Sequence, residues 1–192
     1  MTQDVDEQAR AQGGATEPAG EFAGVTDGFE RLWTPHRMAY IKGERPTDHA
    51  GDGCPFCAAP TKDDAEGLIV HRGESCYVVM NLFPYNPGHV LVCPYRHVSL
   101  YVDLTDEETA EFTALTKAAI AALESSSAPA GYNIGMNQGS VAGAGVRAHL
   151  HQHVVPRWGG DSNFLPVIGQ TKALPMLLED VRQRLVEAWP RG

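Results

Sequence analysis

Apolar positions recur along this chain with two different periods, and the change between them outlines the fold. Leu68-Ile69-Val70-His71, Cys76-Tyr77-Val78-Val79-Met80 and His89-Val90-Leu91-Val92-Cys93 are short apolar runs. Turn formers separate them: Arg72-Gly73-Glu74 after the first, and Pro84-Tyr85-Asn86-Pro87-Gly88 before the third. Runs of this length with Gly/Pro punctuation predict an antiparallel meander. The period then lengthens. Thr105 and Glu108 stand at capping-box spacing, and Phe112, Leu115, Ala119 and Leu123 fall near helical spacing, which predicts a helix over 106–124. Tyr132 to Asn137 reads as another strand, followed by a glycine-rich bend from Gly139 to Gly145 and a last helix over 174–189. The order predicts an α+β domain with a mainly antiparallel sheet, and no internal repeat is present.

The 192 residues, 43% of them hydrophobic, can bury one sizeable core. Residues 1–25 are polar, acidic and Gly/Ala-rich and read as a disordered tail; residues 26–192 read as a single domain, with a short helical segment over 29–41 interrupted by Pro35. The net charge of −9 argues against broad binding to nucleic acid, while leaving room for a local phosphate site. No apolar run approaches the roughly 20 residues of a membrane helix. The start of the chain has no basic, then apolar, leader, and four cysteines are too few for a disulfide scaffold. A cytoplasmic location with reduced thiols is the expectation.

The densest chemistry is His149-Leu150-His151-Gln152-His153-Val154-Val155-Pro156-Arg157. In a strand, residues two apart share a face, so this spacing sets three imidazoles in a row. Such a row suits a metal site or nucleophilic catalysis, because imidazole can be ligand, nucleophile, acid or base near neutral pH. Gly139, Gly143 and Gly145, with Ser140 between them, would let backbone N–H groups approach an anion closely, which favours phosphate.

These residues resemble the signature of the histidine triad (HIT) family. Asn81, Pro87-Gly88-His89-Val90-Leu91-Val92, Pro94, His97 and Ala142-Gly143 extend the resemblance over about Cys54 to Trp158. Arg31-Leu32-Trp33-Thr34-Pro35 and the stretch from Pro156 to Phe164 resemble a longer bacterial subgroup containing diadenosine tetraphosphate phosphorylases. The resemblance implies a HIT-like fold and nucleotidyl transfer: His151 attacks the α-phosphorus, His153 assists at the phosphate or leaving group, and His149 helps fix the site. It places Asn81 at the ribose, and Asn137, Ser140, Gly143, Ala144, Gly145 and Trp158 at the nucleotide. Trp158 could equally border a subunit interface. The intermediate passes to phosphate or to water, and a homodimer or dimer of dimers is implied. The expected reaction is phosphorolysis of diadenosine tetraphosphate to ADP and ATP. Rivals are a hydrolase of dinucleoside polyphosphates or adenosine phosphoramidates, and a nucleotide-binding sensor without turnover. Gln152 departs from the usual apolar residue but should point away from the histidine face. The bend from Ala142 to Ala148 is one residue longer than in short hydrolases.

Cys54-Pro55-Phe56-Cys57 is either a redox pair or half of a zinc site. No strand signal precedes it, which disfavours the redox pair. By resemblance to zinc-containing family members, His97 and His149 complete a closed structural set with Cys54 and Cys57. No organic cofactor is implied. Cys76 and Cys93 read as core residues, His36, His49 and His71 as surface or loop residues, and His89 as support for the fold.

Overall fold

A computed structural model describes residues 53–161 and 174–191. The proposed tail, the segment over 29–41 and the boundary at residue 26 lie outside these residues. A short helix α1 (Pro55–Ala58) precedes strands β1 (Ile69–Arg72), β2 (Cys76–Met80) and β3 (Val90–Pro94). Then come the long helix α2 (Asp106–Ser127), strands β4 (Gly131–Met136) and β5 (Gln152–Arg157), and helix α3 (Leu178–Glu187). The sheet is antiparallel throughout, in the order β1-β2-β3-β5-β4.

Strands β2 and β3 are buried at every position, so both faces of the sheet are covered there. Val78, Met80, Val90, Val92, Leu150 and Val154 pack under α2 and α3 with Phe112, Leu115, Ala119, Leu123, Val181 and Leu185. On the other face, Ile69, Tyr77, Val79, Leu91 and Cys93 gather with Phe56 and Ala59 from the cysteine segment. The cysteine segment thus covers this second face.

Helix α2 starts where its capping box predicts. Thr105 Oγ1 accepts from Glu108 N at 3.2 Å, and Glu108 Oε2 accepts from Thr105 N at 2.8 Å. It runs three residues past Glu124, its last turn closed by Ala128 N donating to Glu124 O at 3.1 Å, with the Ser126 and Ser127 hydroxyls donating to the Leu123 carbonyl at 3.3 and 3.0 Å. Ala128, with φ of 42°, then ends it. Helix α3 begins at Leu178, later than the expected 174: Pro175 disfavours helical backbone at the residue before it, and Leu177, with ψ of 147°, is extended at the N-cap. At the tight turn before β3, Gly88 has φ of 83°, and a Cβ there would lie 2.9 Å from Leu123 Cδ2.

Glu111 on α2 holds the β1–β2 turn. Its carboxylate accepts from the backbone N–H groups of Glu74, Ser75 and Cys76 at 2.7, 2.6 and 3.0 Å, and from the Ser75 hydroxyl at 2.5 Å. Glu111→Ala strips four donors of their acceptor and should cost roughly 1–2 kcal/mol, read by denaturant unfolding. An unchanged midpoint would show that water replaces the carboxylate without loss.

Candidate active site and metal-binding group

The cysteine segment turns tightly: Cys57 and Ala58 donate their backbone N–H groups to Cys54 O at 3.2 and 3.0 Å. This curls both thiols to one side. Cys54 Sγ and Cys57 Sγ each lie 3.4 Å from His149 Nδ1, and Cys57 Sγ lies 3.2 Å from His97 Nδ1. The four ligand atoms of Cys54, Cys57, His97 and His149 all fall within 4.8 Å of one another. His149 Nε2 is 2.9 Å from Pro94 O; a carbonyl only accepts, so Nε2 carries the proton and Nδ1 presents its lone pair to the thiols. That second hydrogen bond is the arrangement metal-bound histidines take. Burial, then the neighbouring Cys54, pushes the Cys57 thiol up to about 11. A bound cation is what would make the pair thiolate at neutral pH. The donor set of two sulfurs and two imidazoles therefore fits a metal ion.

The strand expected to begin at His149 begins at Gln152. Tyr95 N donates to Ser75 O across β2, so the nitrogen of Pro94 lies on the β5 side, where proline has no proton to give. The ladder stops, and the His149 side chain takes the Pro94 carbonyl instead. The alternation nevertheless continues through the extended segment. Leu150 and Val154 join the helix-side core, and Gln152, on the same side, donates to Thr116 Oγ1 at 2.8 Å. His149, His151 and His153 face the other way, and the rings of His151 and His153 are 5.0 Å apart, edge to face.

Hydrogen bonds make the last two imidazoles opposites. His151 Nδ1 lies 2.9 Å from His149 O and must donate to it, which leaves Nε2 with a free electron pair. His89, fully buried on β3's approach, accepts from Tyr85 N through Nδ1 at 3.0 Å. Its protonated Nε2 then donates to His153 Nδ1 at 2.9 Å, so neutral His153 carries its proton on Nε2. Burial, then the charge of His153 and His151, depresses His89 to about 3; burial, then His151, depresses His153 to about 4. Burial lowers His151 as well, against the raising effect of its bond to the His149 carbonyl. One face thus offers a nucleophilic nitrogen beside a neutral N–H donor.

A cavity of about 1080 Å³ opens onto this pair. Phe56, Ala59, Leu68, Val79 and Leu91 give it an apolar end, suited to a base, and Asn81, Asn137, Gly143 and Gly145 line it near His151 and His153. Phe56 also packs on His151, with ring centroids 4.8 Å apart. At the rim, Lys62 and Glu66 pair at 2.8 Å. Gly143, with φ of 81°, holds the bend in a conformation that favours glycine. Of the residues expected at the nucleotide, Asn81, Asn137, Gly143 and Gly145 come together here. Ser140, Ala144 and Trp158 do not line the cavity; Trp158 instead donates from Nε1 to Ser127 O at 3.3 Å, beside the end of α2. Sequence reasoning missed Phe56, Tyr85 and the partnership of His89 with His153. The only signal for Phe56 was its place between the two cysteines, and His89 was visible as a histidine but not as a neighbour of the row.

Stability should depend on pH through His89 and His153. Both are held neutral when folded, with values below the unfolded 6.5, so the unfolded chain binds more protons between about pH 6.5 and 4. Their contribution is present above 6.5 and is lost as pH falls through that window, by up to about 1.4 kcal/mol per pH unit for each histidine. Denaturant unfolding from pH 7.5 to 4 measures the slope, and His89→Gln should flatten it; an identical slope in the variant would contradict the assignment.

Residues 62–160 match the model of the HIT domain family, more than half of the chain. Over 172 residues the chain is 48% identical to an AP-4-A phosphorylase of Mycobacterium tuberculosis, covering 88% of each protein. Among solved structures it is similar to a hypothetical histidine triad nucleotide-binding protein of Sulfolobus tokodaii (TM-score 0.59, 26% identity, 70% of this chain and 91% of that one). It is also similar to a zinc-bound histidine triad family protein of Mycobacterium smegmatis (TM-score 0.55, 26% identity, the same coverage). With its alternating histidines on one face of an antiparallel sheet, the chain belongs to the HIT domain family.

Proposed function

We propose that this protein cleaves diadenosine tetraphosphate by phosphorolysis, giving ATP and ADP through a nucleotidyl intermediate on His151. The observation that carries the reading is the opposed pair of tautomers, a free electron pair on His151 Nε2 beside an N–H on His153 Nε2. The identity of 48% with an AP-4-A phosphorylase supports the choice of substrate and acceptor.

In the first displacement the Nε2 electron pair of His151 forms a bond to the α-phosphorus, and the bond from that phosphorus to the bridging oxygen breaks. The electron pair of the broken bond leaves with ATP. His153 donates a hydrogen bond to the departing oxygen and keeps its proton. No proton transfer is needed, because a terminal phosphate is a stable anion at neutral pH. In the second displacement a phosphate oxygen attacks the α-phosphorus, the P–N bond breaks and its pair returns to His151 Nε2, releasing ADP. Water at this step would give AMP. His153 is depressed to about 4 and so is neutral at pH 7, which favours anhydrides over phosphoramidates, whose amine must leave with a proton.

The metal most compatible with two thiolates and two imidazoles is zinc. Held by Cys54, Cys57, His97 and His149, it would serve as a structural cross-link and neutralise the thiolates. The chain's own residues do the rest: His149 fixes the tautomer of His151 through its carbonyl, and Phe56 packs on the nucleophile. Four free cysteines suit a reducing cytoplasm. The exposed edge of β4 suits assembly into a homodimer or dimer of dimers. Among the described residues no helix is long and apolar enough to cross a membrane.

Rapid quenching of labelled diadenosine tetraphosphate should trap one nucleotidyl group on His151, with ADP formed only when inorganic phosphate is present. His151→Gly should fold and bind AMP yet lose turnover by about 10⁴-fold or more. Undiminished cleavage in that variant would refute the nucleophile, and AMP as the product regardless of phosphate would reassign the enzyme as a hydrolase. Elemental analysis should find about one zinc per chain, lost with the Cys57→Ser substitution; a metal-free, equally stable protein would refute the cross-link.

A further inference from the structure

A second cavity, of about 400 Å³, lies beyond His153 on the same face of the sheet. It shares Tyr85, Asn137 and His153 with the larger nucleotide cavity and continues along β4 and β5 past Asn133, Gly135 and Val155 to Arg157. The register sets Gly135 opposite His153 and Asn133 opposite Val155, so these residues project from one surface. His153 is therefore the wall between two chambers, and it is also the residue whose N–H meets the departing oxygen.

We propose that this groove is the leaving-group subsite and holds the distal nucleoside of a dinucleoside polyphosphate. The inference rests on the transfer reading above and adds where the departing half of the substrate sits. A two-ended substrate cut beside His153 must send one half to each side of that ring. The space accommodates one nucleoside. Its far end is built for a base rather than for a free anion. Arg157 donates Nε and Nη2 to Asp161 at 2.6 and 2.9 Å and Nη1 to Asn133 Oδ1 at 2.7 Å. Asp161 is itself fastened, accepting from Asn86 Nδ2 at 2.7 Å and from Trp158 N at 3.2 Å. The fork cancels much of the guanidinium charge and locks its plane. A fixed planar guanidinium is a stacking surface for a nucleobase. Tyr85, more than half exposed and with its ring 5.9 Å from that of His153, offers an aromatic face at the other end, and the Asn133 and Asn137 amides supply polar contacts between.

Gly135 makes the groove testable. A Cβ there meets nothing within 4 Å, and Gly135 does not line the larger cavity. Gly135→Leu should fill the groove beside His153, and Gly135→Ala, whose Cβ has open space, should leave it open. The measurement is kcat/KM for two substrates with the same AMP half: diadenosine tetraphosphate, and adenosine 5′-phosphosulfate, whose leaving group is only sulfate. Gly135→Leu should lower the ratio of the first to the second by about tenfold or more, because binding energy from the remote half is lost, while Gly135→Ala keeps the ratio. Turnover of the phosphosulfate and an unchanged AMP affinity report that the fold and the first cavity are intact. An unchanged ratio in Gly135→Leu overturns the subsite. Failure of the unsubstituted protein to form an adduct from either substrate overturns the transfer reading itself, and the subsite with it.

Discussion

The bond from His151 Nδ1 to the carbonyl of His149, two residues earlier, is the interaction on which the site depends. It is local, made within one extended segment, and it leaves the electron pair of the ring on Nε2. Everything around it keeps that segment extended and correctly faced. Pro94 ends the ladder on the β5 side, the His149 side chain takes the carbonyl left over, and Leu150 and Val154 anchor the opposite face in the core under α2. The imidazole of His149 belongs to the Cys/His group that fits a metal ion, while its carbonyl accepts from the His151 ring. One residue therefore joins the two candidate sites.

The same logic gives His153 the opposite polarity. Its partner is a second buried histidine whose own tautomer is set by a backbone N–H from Tyr85. A chain of three groups, amide to His89 to His153, delivers a neutral N–H beside a bare nitrogen without placing any formal charge in a buried site. Charge would be costly there, and the depressed values of His89 and His153 report that cost. A neutral donor suits a leaving group that departs as an anion, and the cavity beside it pairs an apolar end around Phe56 with a glycine bend at Gly143 and Gly145.

Much of this was legible in the sequence, because periodicity is a local property. The alternation of His149, Leu150, His151, Gln152 and His153 fixes which side chains share a face, and Thr105 with Glu108 fixes the start of α2. The Cys54 and Cys57 pair, with His97 and His149, converges in space as the resemblance implied. What the sequence hid was long-range. Nothing near His89 announces that it will meet a residue 64 positions later, and nothing in Trp158 announces that it will turn toward Ser127. The strand start at Gln152 depended on a missing proton at Pro94 in a neighbouring strand.

His151 and His153, neighbours on one face, hold opposite tautomers. Long-range ¹H–¹⁵N correlation spectra of the protein labelled at its histidine ring nitrogens, recorded at pH 7, read this directly. His151 should show a protonated Nδ1 and a bare Nε2, and His153 a bare Nδ1 and a protonated Nε2. Matching tautomers on the two rings, or a proton on His151 Nε2, would contradict the account.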